Sequence, residues 1–249
     1  MSKIEIDSSV FCDVGGAASC PSRLTHRSSL SLLRLCQLVS PALPVGAYHF
    51  SQGLEFAVCS DRVRDASSAT EWIGGLAESA IGQLDLPVLF RLYDAWSDND
   101  PIDARRWSQY LIASRETMEL RAEERHMGKA LAKVLIELEL ATAREWIASD
   151  DTCFASMFAL AACTWHIERI ACGQAYLWMW CENQVLAALK LLPIGQSAGQ
   201  RILNRLLQRI PGIVEQARAV ADSDIGIAAV AHGMVCAWHE TQYSRLFRS

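Results

Sequence analysis

The stretch at 40–55, SPALPVGAYHFSQGLE, sets two prolines and two glycines beside aromatic residues, between strongly helical patterns on either side. Proline fixes φ and has no amide donor, so no helix runs through Pro41 or Pro44, and the residue before each is driven toward extended backbone. Gly46 lets the chain turn or come close to a neighbour. Tyr48, His49, Phe50, Ser51 and Gln52 then open the next helix. A buried corner between two helices is the plain reading; the density of polar and aromatic chemistry argues for a functional one.

On either side the apolar period is helical. Leu32, Leu35, Leu38 and Val39 form the apolar side of a helix starting at Ser28 or Ser29, and Phe50, Leu54 and Val58 follow at i, i+4, i+8. Trp72, Ile73, Leu76, Ala80, Ile81 and Leu84 repeat the pattern over 67–84. Asp85 reads as the cap of the next helix, with Pro87 in its first turn and Leu89, Leu92, Tyr93 and Trp96 facing inward. Asp100-Pro101 caps another, and 102–147 reads as one or two long helices. The most apolar part, 153–190, carries Met157, Phe158, Ala161 and Trp165, then Tyr176, Leu177 and Trp180. Ser197 and Gln200 have capping-box spacing, and Pro211-Gly212 stops the helix they begin. Two further segments fill 213–221 and 225–239. No stretch alternates with period two over a strand's length. The expectation is an all-α, single-domain bundle of roughly ten helices over 29–249, preceded by a flexible tail at 1–28 that lacks periodicity.

At 249 residues the chain can bury roughly 70–75% of its extended surface without metal or disulfide staples. A net charge of −5 argues against nucleic acid as the main partner. The charge-free run at 152–167 is shorter than the ~20 apolar residues a bilayer needs. The first residues carry acids and lack the basic-then-apolar order of a signal peptide, so a cytoplasmic protein is expected. Nine cysteines with no CxxC then read mostly as buried thiols. Cys163, Cys172 and Cys181 recur every nine residues, alternate between helix faces and make a poor common metal site.

Chemistry-bearing patterns are few. GxxxxGK[ST] and GxSxG are both absent, which gives nucleotide hydrolysis and acyl transfer no support. His232, Cys236 and His239, at i, i+4 and i+7, share one helical face and could suit zinc or nickel, although cysteine in an alanine-rich helix is usually core. The charged run at 115–125 reads first as a solvated helix face laced by i,i+3 and i,i+4 pairs, and second as a docking face. The last residues, HETQYSRLFRS, interleave Tyr243, Leu246 and Phe247 with Arg245 and Arg248, so this tail is expected to dock on its own domain or on a partner. Tyr176, Trp178 and Trp180 are too close together for one face to bury them all, which leaves one of them for another subunit or partner.

Five stretches in order resemble the UreF family of urease accessory proteins: LLRLCQLVSPALPVGAYHFSQGLE at 32–55, DLPVLFRLYDAW at 85–96, RETMELRAEERHMG at 115–128, LPIGQSAGQR at 192–201 and the tail at 239–249. The resemblance covers residue 29 onward. It implies an all-helical homodimer that is not an enzyme and binds UreD (UreH in some species), then the GTPase UreG, then apo-urease. Such a complex helps install nickel. No cofactor is expected to bind this chain tightly; nickel would be handled transiently by the complex, and GTP would be bound by UreG. Partner docking is expected at Tyr48, Gln52 and Glu55 in the corner, at Gln200, and at Tyr243, Arg245, Leu246, Phe247 and Arg248 in the tail. The alternatives are a regulator of UreG that uses Arg245 or Arg248, and a direct nickel binder using His232, Cys236 and His239.

Overall fold

The computed structural model describes residues 22–226 and 230–249, so most of the tail expected at 1–28 lies outside the described residues. Every regular element among them is helical. In chain order the α-helices are α1 (Ser22–Leu38), α2 (Leu54–Cys59), α3 (Ala66–Leu76), α4 (Leu86–Ser97), α5 (Pro101–Ala113) and α6 (Met118–Glu137). They continue with α7 (Phe154–Thr164), α8 (Arg169–Leu191), α9 (Gln196–Leu207), α10 (Ile210–Ala219) and α11 (Val230–Glu240). The expectation of an all-α bundle holds. The first helix already runs from Ser22, upstream of the Ser28 or Ser29 start read from the periodicity.

Helix α7 lies at the centre, with every residue from Phe154 to Ala162 buried. It packs on α4, α6 and α8. Its alanines let these neighbours come close, and Gly128 on α6 comes closest: a Cβ there would lie 2.6 Å from the carbonyl carbon of Cys153. Asp100 accepts from the amides of Ile102 and Asp103, both at 3.0 Å, and starts α5 as expected. Thr117 caps α6 by accepting from the Leu120 amide at 3.2 Å.

Three local expectations are corrected. Asp85 does not cap a new helix: α3 passes through a π-helical turn, Ala77–Asp85, directly into α4. Pro87 cannot donate to the Gln83 carbonyl four residues back. The Gly226 amide takes that place, donating to Gln83 O at 3.1 Å. Ser197 and Gln200 form no capping box, because α9 starts at Gln196 behind Gly195 and no side chain caps it. Pro211 begins α10 rather than ending α9, its fixed φ suiting a first turn.

Leu38 is buried on α1, but Leu30, Leu32 and Leu33 are exposed, against the inward placing of Leu32. An apolar groove of about 310 Å³ runs along the α1 side of α8 and α10, lined by Leu35, Val39, Ala175, Trp178, Leu207 and Pro211. Tyr176 and Trp180 are buried while Trp178 is half-buried in this groove, which resolves the three-aromatic conflict on α8.

Gly128→Ala should overpack α6 against α7 backbone that has no room to yield, at about 1–3 kcal/mol. A fall of several degrees in Tm is the expected result of a thermal melt. An unchanged Tm would show that the two helices can separate without cost.

Candidate functional site

The corner between α1 and α2 is built by contacts from three other elements. After one 3-10 turn, Ala47–His49, both Gln52 (φ 48°) and Gly53 (φ 81°) take left-handed backbone. Glycine is needed at 53 because α11 approaches: a Cβ would lie 2.9 Å from Val235 Cγ1. At Gln52 the strained conformation is held by its own partners. Its Nε2 donates to Glu123 Oε1 at 2.7 Å, and its Oε1 accepts from Trp180 Nε1 at 2.7 Å. His232 Nε2 lies 3.1 Å from its carbonyl oxygen.

The C-terminal segment lies across this corner. The main-chain oxygen of Ser249 accepts from the amide of Ser51 at 2.8 Å and from its hydroxyl at 2.5 Å. The Arg248 amide donates to His49 O at 2.8 Å. Glu55, itself buried, accepts from the amides of Leu246 and Phe247 at 2.7 and 2.9 Å. Ser249 Oγ donates to Glu123 Oε2 at 2.8 Å. Phe247 is buried, and Lys190 Nζ sits 5.3 Å from its ring and 5.6 Å from that of Tyr48, joining tail to corner.

The charged run at 115–125 is not the solvated face expected from its composition. Arg115, Glu123 and Glu124 are buried. Arg115 pairs with both Asp85 and Glu124, and Glu124 also accepts from the Phe154 amide at 3.3 Å. Burial pulls the Arg115 guanidinium down, but Asp85 and Glu124 outweigh it and hold it well above its usual range. Burial raises the Glu124 carboxyl, with Arg115 opposing. The Glu123 carboxyl is pushed up to about 7 by burial, with the Gln52 and Ser249 hydrogen bonds opposing. Asp85, Glu123 and Glu124 line a small chamber of about 40 Å³, together with Gln184, whose buried Oε1 has no hydrogen-bond partner among the described residues.

His232, Cys236 and His239 share one face of α11 as expected, and each meets a different neighbour. His232 faces the Gln52 carbonyl, and Cys236 packs against Gly53. His239 Nδ1 lies 2.8 Å from Glu119 Oε2 and its Nε2 3.2 Å from Glu55 Oε2. Burial lowers the basicity of His232 and raises the Cys236 thiol. Among the described residues no three histidine, cysteine or carboxylate side chains are grouped to hold a metal ion.

The other expected docking residues divide by exposure. Tyr48, Tyr243 and Leu246 are exposed, with Tyr243 fully so, and Arg245 pairs with Glu119 at the edge of the site. Arg248 is exposed, whereas Glu55 and Phe247 serve as internal anchors. Gln200 is exposed on α9, which packs on α3, α8 and α10, and takes no part in the tail's hydrogen bonds.

Corner, tail and α11 thus define an all-helical protein whose C-terminal segment is clamped over a buried acidic network. The UreF family model matches residues 63–207. Urease accessory protein UreF of Alkalilimnicola ehrlichii is 44% identical over 88% of this chain and 96% of its own length. The Hahella chejuensis protein of that name is 43% identical over 88% of this chain and 99% of its own. UreF 2 of Brucella anthropi is 42% identical over 90% and 99%. The chain belongs to the UreF family of urease accessory proteins.

Arg115→Met would leave Asp85 and Glu124 buried without their cation. Loss of one partner of a buried pair costs about 3–5 kcal/mol. Urea titration should show a fall of that order at neutral pH, and a loss below about 1 kcal/mol would mean that solvent already reaches the pair.

Proposed function

We propose that this chain is a non-catalytic adaptor in urease maturation. In this reading it binds UreD (UreH) and the GTPase UreG in the cytoplasm and presents them to apo-urease for GTP-dependent nickel installation. Family membership supports the role. The observation that carries it to particular residues is the division of labour in the tail: Phe247 and Ser249 point inward as anchors while Tyr243, Leu246 and Arg248 stay outward, as Tyr48 does in the corner. An ordered segment with exposed aromatic, aliphatic and arginine side chains loses little entropy when a partner packs on it.

The exposed Leu30, Leu32 and Leu33 and the groove holding Trp178 lie along α1, α8 and α10. This apolar surface is the face we assign to the homodimer that the family implies. Nickel would be handled by the assembled complex, and GTP chemistry would belong to UreG. Of the two arginines considered for acting on UreG, Arg245 is tied to Glu119, so the regulator reading rests on Arg248.

Removing 244–249 would also remove the partners of Glu55, Glu123 and Ser51, mixing folding with docking. Tyr243→Ala combined with Leu246→Ala changes only exposed side chains. This double variant should keep the wild-type Tm and lose co-purification with UreD or UreG. Retention of both partners would contradict a docking role for the tail.

A further inference from the structure

We infer that seating of the C-terminal segment is coupled to uptake of one proton at Glu123, so that the corner and tail form a proton-linked latch. The latch does not depend on which partner docks there. Its basis is the way this carboxyl is surrounded. Glu123 is 6% exposed, and both of its hydrogen-bond donors are neutral: Gln52 Nε2 at 2.7 Å and Ser249 Oγ at 2.8 Å. Among the described residues the one guanidinium inside the network, Arg115, is taken by Asp85 and Glu124. An ionised carboxylate with two neutral donors and no paired cation carries a large desolvation cost.

The tail supplies part of that burial. Ser249 is 1% exposed and contributes one of the two donors; Phe247, 5% exposed, closes the surface beside it. When the segment lifts, the Oε2 side of Glu123 loses its cover and its serine donor, and water can solvate the charge. The protonated carboxyl therefore belongs to the seated state and the carboxylate to the released one. In the seated state burial holds this carboxyl near 7, against an ordinary value of 4.5. The sign follows: seating is favoured at low pH and weakens as pH rises through neutrality.

Other titrating groups surround Glu123. Glu124 and Arg115 act on it directly, Asp85 shares its chamber, and Cys236 feels its charge from α11 beside His232. Glu55, Glu119 and His49 touch the tail at other points, and His239 contacts Glu55 and Glu119. These groups make a change confined to Glu123 essential to the test. Glu123→Gln keeps an oxygen acceptor for Gln52 Nε2, turns its amide NH2 to the Ser249 hydroxyl, which can accept, and removes the titration.

The measurement is amide hydrogen exchange by NMR on the full chain at pH 6 and pH 8, expressed as protection factors so that intrinsic base catalysis cancels. If release restores an ordinary carboxyl, the protection of Ser51, Leu246, Phe247 and Arg248 should fall about tenfold over this range while α7 holds constant. In Glu123→Gln the pH dependence at these four amides should vanish. A flat profile in the wild type, or the same tenfold loss in Glu123→Gln, would overturn the inference. Should that variant fail to fold, carbon-13 titration of the wild-type Glu123 carboxyl decides. A midpoint near 7 is expected, and a midpoint near 4.5 would overturn the proposal.

Discussion

Glu55, Asp85, Glu123 and Glu124 are all buried in a helical core that, among the described residues, sets the guanidinium of Arg115 against Asp85 and Glu124 and the buried imidazole of His239 against Glu55. Carboxylates withdrawn from water need donors, and a bundle whose amides are spent inside its helices has few to offer. The donors therefore come from where the chain is not helical. The tail amides of Leu246 and Phe247 go to Glu55, while Gln52 and Ser249 go to Glu123. Elements almost two hundred residues apart in sequence are joined because these acids have to be met.

The same requirement shapes the outer surface. Each anchor turned inward fixes a neighbour turned outward, so Phe247 and Ser249 hold Leu246 and Arg248 at the rim, and Lys190 ties Tyr48 to them. A chain end would ordinarily fray. Here hydrogen bonds along 246–249 set an aliphatic and a basic side chain, Leu246 and Arg248, at the surface. The Trp178 groove is lined by residues of α1, α8, α9 and α10 and by none of these tail residues.

Much of this was legible in the sequence. Helical period located nearly every helix, and Asp100-Pro101 announced the start of α5. Asp85 misled because Asp before Pro usually opens a helix; a carbonyl freed by Pro87 and met by Gly226 let the helix continue through a π turn, a tertiary event with no local signature. The charged run misled through composition alone. Its period held the answer, since Glu123 and Glu124 fall between Leu120, Met127 and Leu131 on the apolar stripe of α6. Phe247 and Arg245 stand out among the last residues of the sequence, but no pattern there distinguishes the inward anchors from the outward contacts. Lys190 and Ser249 carry no signal in the sequence, because a serine or lysine gains its role only from what packs beside it.

The central claim is that the buried carboxyl groups of Glu55 and Glu123 hold the C-terminal segment seated on the fold. Backbone nitrogen-15 relaxation of the full chain tests it most directly. Order parameters near 0.85 at residues 246–248, matching those of α6, are the result this account predicts. Values below about 0.6 there, with α6 rigid, would mean that Glu55 and Glu123 do not hold the tail, and the account would fail.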